Sequence, residues 1–233
     1  MSNELCSDWI KSLPDLLKDN SPNSIYNADE TGLFFKALLD KTAMFKRETF
    51  HRGKQSKDWV MLLFASDVSG TDELTPLMIG KSRSPRCFKG MKSFPLQFKA
   101  NQDAWMTSKF FAAWLKKINK DMCRKKKKIL LFINNCKAHG IIPEMKDMKV
   151  IFLSPNTTSK LQLLDQGLIR SFKSGYRKEV MRKIIDAIDR QEEISPSNVL
   201  DCMRMTDCAR RQVTQKTIVN CFRKADFAKD EEI

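Results

Sequence analysis

Three polar positions stand where apolar runs of this chain would leave a sheet: the pair Asp29-Glu30, the pair Asn134-Asn135, and Asp165. Carboxylates at the carboxyl ends of neighbouring strands, joined by one from a helix, can hold two divalent cations about 4 Å apart for in-line phosphoryl transfer. Hard oxygen donors of this kind suit Mg²⁺ or Mn²⁺. Asp29 and Asp165 fit such a triad, whereas position 134 offers an amide where that chemistry wants an acid. By spacing alone, a structural ion pair at Asp29 or Asp165 stands equally with a metal site.

These positions need strands and a helix to present them. IYNADETGLFF reads as a first strand ending at Asp29, and WVMLLFASDVSG as a buried strand running into a turn at Ser69-Gly70. TPLMIG pairs with it as a hairpin, and FPLQFKA adds a shorter edge strand. From Phe110 through Phe111, Trp114, Leu115 and Ile118 to Met122 the apolar spacing predicts a helix capped by Thr107 or Ser108. ILLFI is predicted to be a fully buried strand ending at Asn134, and MKVIFL repeats that design up to Ser154-Pro155.

The longest helix carries Leu161, Leu164, Leu168, Phe172, Tyr176, Val180, Ile184 and Ile188 on one face, with Asp165 on or beside that stripe. Further on, Ser195-Pro196 predicts a helix start, and Thr214 caps a last helix holding Ile218, Val219 and Phe222. Trp9, Ile10, Leu13, Leu16 and Leu17 form an amphipathic segment before the breaker at Asn20 to Asn23, placed to pack on the main domain. Strands alternating with helices in this order predict an α/β fold whose sheet has parallel members.

The chain has 233 residues, 42 Lys plus Arg against 28 Asp plus Glu, and a formal charge of +14. That balance favours a polyanionic partner, because neutralised phosphates release condensed counterions. No stretch approaches the roughly 20 apolar residues that span a bilayer, and the opening lacks a signal-peptide layout, so no membrane role is expected. The seven cysteines are scattered without a C-x-x-C pair, so reduced thiols are expected and a zinc site at Cys136 and His139 lacks its other two ligands.

Six stretches occur in order: YNADETGLFFK, GKQSKDWVMLLFASDVSG, PLMIGKSRSPRCFKG, FKANQDAWMTSKFFAAWLKK, ILLFINNCKAH and FLSPNTTSKLQLLDQGLIRSFKSGYRK. Together they resemble the DDE-type transposase domain of the Tigger and pogo branch, which includes jerky-like proteins and centromere protein B. The resemblance runs from about Ile25 to Asp226. It implies a ribonuclease-H-like mixed sheet of the retroviral-integrase superfamily, flanked by helices and followed by a helical C-terminal section. It also implies nuclear localisation and DNA as substrate.

Carried over position by position, the catalytic triad falls on Asp29, Asn134 and Asp165, with 30 residues between the last two. The implied metal ligands are Asp29 and Asp165, with Mg²⁺ or Mn²⁺ expected to bind weakly or not at all because position 134 lacks a charge. Leu163 replaces a proline usual in the family. His139 matches the family's histidine after the second acid, leaving open a place near the metal site or a structural role at a helix start. Glu30 points to the opposite side of a continuing strand and is expected to make a structural contact. Only 24 residues precede Ile25, so the helix-turn-helix modules of such transposases, and sequence-specific readout with them, are expected to be absent.

The expected organisation is an N-terminal segment over residues 1–22, a DDE domain over 23–193, and a helical section over 194–233 packed on it. Clustered cations at Lys46, Arg47, Arg52, Lys54, Lys57, Lys81, Arg83, Arg86 and Lys89 are candidates for phosphate contacts. The run Arg124 to Lys128 reads either as a nuclear localisation signal or as a charged connection. The function expected is non-specific DNA binding by a catalytically degenerate domain. An active Mg²⁺-dependent endonuclease, a protein interaction module that includes a homodimer, and a transposon remnant without a selected role are the alternatives.

Overall fold

Apolar runs rich in β-branched and aromatic residues become six strands: β1 (Ile25–Phe34), β2 (Trp59–Asp67), β3 (Leu77–Gly80), β4 (Gln97–Ala100), β5 (Ile129–Ile133) and β6 (Met148–Phe152). The structure, a computed structural model, describes residues 12–36, 58–153 and 164–227, apart from the side chains of residues 165 and 166. The strands form one mixed sheet in the order β4-β3-β2-β1-β5-β6. β1 runs antiparallel to β2 and parallel to β5, and β6 continues the parallel half. The antiparallel β2–β3 pair confirms the hairpin, and β4 lies parallel to β3 at the edge.

The first strand does not end at Asp29. β1 continues to Phe34 because the nine-residue β2 supplies pairing partners out to Phe34↔Trp59, so Asp29 sits mid-strand opposite Phe64. What stops near Asp29 is the pairing with β5, whose last registered pair is Ala28↔Ile133. β6 departs from the buried design of β5, since it lies at the sheet's edge with Phe152 exposed.

Helix α1 (Ser108–Lys125) starts at Thr107, whose hydroxyl accepts from the Phe110 N–H at 3.3 Å, so Thr107 rather than Ser108 is the cap. Its stripe of Phe111, Trp114, Leu115, Ile118 and Met122 packs against Tyr26, Met61, Leu63 and Leu131 on one face of the sheet. Burying each such side chain contributes about 1.5–3 kcal/mol.

The other face carries α2 (Arg170–Asp189), α3 (Val199–Arg211) and α4 (Gln215–Lys224). There Phe172, Met203, Ile218 and Phe222 share a core with Phe64, Phe132 and the N-terminal Leu13. The buried stripe of α2 stops at Ile184, Ile188 being exposed. α3 does not start at Ser195-Pro196. Asn198 caps it, its side chain accepting from the Leu200 and Asp201 N–H groups while Asp201 accepts from the Asn198 N–H. Thr214 caps α4 as predicted, with the Thr217 N–H donating to its hydroxyl. Among the described residues no helix is long and apolar enough to cross a membrane.

Candidate functional site

Continuing the β1–β5 register by one residue beyond Ala28↔Ile133 sets Asp29 beside Asn134 on the neighbouring parallel strand. Side-chain alternation puts both on one face. Ile25 and Leu33 on β1, and Leu130 and Phe132 on β5, all pack into the core beneath α2, and Asp29 and Asn134 share their parity. The chain reaches the same face again through Leu164, Leu168, Ile169 and Phe172, which bracket a π-helical turn spanning Asp165–Ile169. Phe172 packs against Phe64, the cross-strand partner of Asp29, with ring centroids 4.7 Å apart and the planes tilted by 53°. Three distant segments thus bring the backbone of positions 29, 134 and 165, the expected triad, to one face of the sheet, while the Asp165 side chain lies outside the described residues.

The turn at Asp165 is shaped by a glycine. A Cβ on Gly167 would stand 1.8 Å from the Cys221 sulfur, so α4 crosses the turn at a distance only glycine permits. Insertions of this π type bulge a helix and recur at functional sites.

Asp29 is buried, and its Oδ1 accepts from the Glu30 N–H at 2.8 Å. Glu30 faces the other side of the sheet, where its Oε1 lies 3.1 Å from His139 Nε2. His139 Nδ1 lies 2.9 Å from the Asn134 carbonyl oxygen, and its ring stacks on Phe111 at 4.1 Å. Oxygen atoms thus face both ring nitrogens of His139. The bridge Glu30–His139–Asn134 clamps the two strands together from behind the site. The sequence alone did not link Glu30 to His139; the signal was Glu30's parity, opposite to that of Asp29.

Among the described residues, no three His, Cys, Asp or Glu side chains converge on one point. The described donors facing the site are one carboxylate, Asp29, with an oxygen already engaged, and the neutral amide of Asn134. Between them those two described groups supply one carboxylate charge, and two divalent cations draw on carboxylate charge as well as oxygen donors.

The candidate phosphate contacts divide. Lys46, Arg47, Arg52, Lys54 and Lys57 lie outside the described residues, while Lys81, Arg83, Arg86 and Lys89 are exposed on the β3–β4 connection. Lys81 and Arg86 line a cavity of about 410 Å³ with Lys36, Phe35, Val60 and Val199. Asp58 lies among these cations, with Lys36 Nζ 2.5 Å and Lys81 Nζ 3.9 Å from its carboxylate. Arg83 lines a different hollow with Lys99 and Phe110.

The run Arg124 to Lys128 forms the end of α1 and the turn into β5, a charged connection tied into the fold. Lys125 pairs with Asp72 at 2.9 Å, Lys127 donates to the Tyr26 hydroxyl at 2.9 Å, and Arg124 pairs with Asp121. Burial disfavours the Asp72 charge, but hydrogen bonds from Lys125 and Tyr26 outweigh it and hold the carboxyl below its ordinary value.

Over residues 57–222 the chain matches the family described as DDE superfamily endonuclease. The chain belongs to that family, in its Tigger and pogo branch. The DDE match includes Asn134 and Asp165 and begins downstream of Asp29. Tigger transposable element-derived protein 4 of Mus musculus is 34% identical over 94% of this chain and 43% of its own length. Jerky protein homolog of Homo sapiens is 30% identical over 88% and 37%, and major centromere autoantigen B of Homo sapiens 24% over 92% and 35%. This DDE chain therefore spans less than half of each of these relatives.

The DDE domain's fold is that of solved Mos1 mariner complexes. A paired end complex with Mn matches with TM-score 0.60 at 13% identity, covering 94% of this chain and 58% of that one. A strand transfer complex matches with TM-score 0.58 at 12% identity, covering 94% and 57%. The mixed sheet with its helical C-terminal part is thus a ribonuclease-H-like architecture.

Proposed function

We propose that this DDE domain acts in the nucleus as a non-specific nucleic-acid-binding module that has lost strand-transfer chemistry. One observation carries the proposal: one residue beyond the last β1–β5 pair, Ala28↔Ile133, Asp29 is followed across the strands by the amide Asn134, where the resemblance calls for a second carboxylate. An amide offers a single neutral carbonyl oxygen and an NH₂ that repels cations. Forfeiting the metal's stabilisation of the transition state costs about 3 kcal/mol or more, over a hundredfold in rate. Glu30 is badly placed to rescue the site, because its carboxylate is committed to His139 on the opposite face. The charge of +14 and the exposed Lys81, Arg83, Arg86 and Lys89 support contact with phosphates. The Mos1 chains of similar fold, solved as paired end and strand transfer complexes, support the nucleic-acid part of this reading by analogy.

The test is a pair of assays on the full chain. Nicking of supercoiled DNA in Mn²⁺ is compared for wild type, Asp29→Ala and Asn134→Asp; no cleavage by wild type is expected, and wild-type cleavage abolished by Asp29→Ala overturns the loss of chemistry. Fluorescence anisotropy with duplex DNA should show affinity falling steeply as salt rises. Absence of binding at low salt overturns the nucleic-acid reading.

A further inference from the structure

Behind the site, the sheet ends in an aromatic surface. Phe34, the last residue of β1, is 59% exposed and Trp105 is 51% exposed. Both values are high for large aromatic side chains, which are mostly interior. Phe34 stands directly opposite Trp59 in the β1–β2 register, on the face shared by Tyr26, Ala28 and Glu30. The Trp59 ring lies across Gly32, where an added Cβ would be 3.4 Å away, and meets Trp105 edge-on with centroids 5.0 Å apart.

Trp105 is held in place despite its exposure. The Asn101 side chain accepts from the Trp105 N–H at 3.1 Å and donates to the Trp105 carbonyl at 2.7 Å. Ala104 is fully buried in a left-handed conformation at φ 52°, anchoring the loop from beneath. A fixed aromatic plane binds with little loss of side-chain entropy. Next to the Asn101 clamp, Arg83 and Lys99 line a hollow of about 290 Å³ with Phe98, Ala100 and Phe110. Both cations are exposed.

We propose that Phe34, Trp59 and Trp105 form a stacking platform for the unpaired bases of single-stranded DNA, with Arg83 and Lys99 taking its phosphates. The proposal rests on the nucleic-acid-binding reading and names the form of nucleic acid this face takes. Every base offers a π-face, so aromatic planes beside cations bind single strands without sequence preference. Duplex bases already stack on one another and gain nothing from the platform. A second copy of this chain is a poorer occupant, because it would bring the same Arg83 and Lys99 and another charge of +14.

The experiment is anisotropy of the full chain with a labelled single strand and with its duplex, over a series of salt concentrations. Trp105→Ala and Phe34→Ala should each weaken single-strand binding by roughly tenfold at unchanged salt slope and leave duplex binding alone. Arg83→Gln should lower the salt slope for the single strand. Trp105→Phe, which keeps an aromatic plane, should retain most of the affinity, and unchanged melting curves establish that the variants fold.

Equal losses on both nucleic acids, or no loss on the single strand, overturn the platform. Light scattering that shows a wild-type dimer split by Trp105→Ala assigns the surface to a second copy and overturns it too. Wild-type chain that binds neither form defeats the nucleic-acid reading itself, whereas duplex binding without a single-strand effect defeats the platform alone.

Discussion

Alanine at position 167 sets local propensity against tertiary packing. Inside a helix, Gly→Ala normally stabilises by about 1 kcal/mol. Here the new Cβ would lie 1.8 Å from the Cys221 sulfur and 3.3 Å from its Cβ. The sulfur cannot swing aside freely, because the thiol donates to the Thr217 carbonyl at 2.9 Å and burial pushes its pKa up, keeping the proton on. Overpacking costs about 1–3 kcal/mol and the displaced hydrogen bond about 1 more. Set against the propensity gain, the net expectation is a loss of about 1–3 kcal/mol, or a fall in Tm of roughly 2–12 °C for a domain of this size.

Thermal and urea unfolding followed by circular dichroism measures the loss, and a double-mutant cycle assigns it. With Cys221→Ala already in place, Gly167→Ala should cost less by about 1–2 kcal/mol, since only the tighter Cβ contact remains. Strict additivity of the two substitutions, or stabilisation by Gly167→Ala alone, refutes the close approach as the reason for glycine in the Asp165 turn.

Two more predictions concern the polar contacts around the sheet. His139→Ala removes the bonds to Glu30 and to the Asn134 carbonyl together with the Phe111 stack, and should cost about 2–4 kcal/mol in urea unfolding; a loss below about 1 kcal/mol refutes the clamp. Asp72 has its folded pKa held below the unfolded value of 3.8, so its contribution is complete above that pH and is lost as pH falls through the lower folded value. Asp72→Asn should therefore flatten the acid limb of Tm against pH below 3.8, and an unchanged limb counts against the Lys125–Asp72–Tyr26 network.

Much of the architecture was legible because it is local. The stripe from Phe111 to Met122, the cap at Thr214 and the β2–β3 hairpin follow from spacing and turn chemistry within a few residues. The errors arose where partners decide. β1 outran Asp29 because β2 lies alongside it, Asn198 took the α3 cap because Asp201 answers it, and β6 is exposed because no strand lies beyond it.

By itself the sequence determined the residue types at positions 29, 134 and 165, an amide rather than a carboxylate at Asn134 among them, and the charge of +14. Those are matters of composition and order, which folding does not alter. Tertiary structure alone decided that the contact Glu30 makes is with His139, 109 residues distant, and that Gly167 must stay bare beneath Cys221. It likewise decided that Phe34, Trp59 and Trp105 meet at one end of the sheet. Such contacts join segments far apart in the chain, and neither propensity nor periodicity carries information over that span.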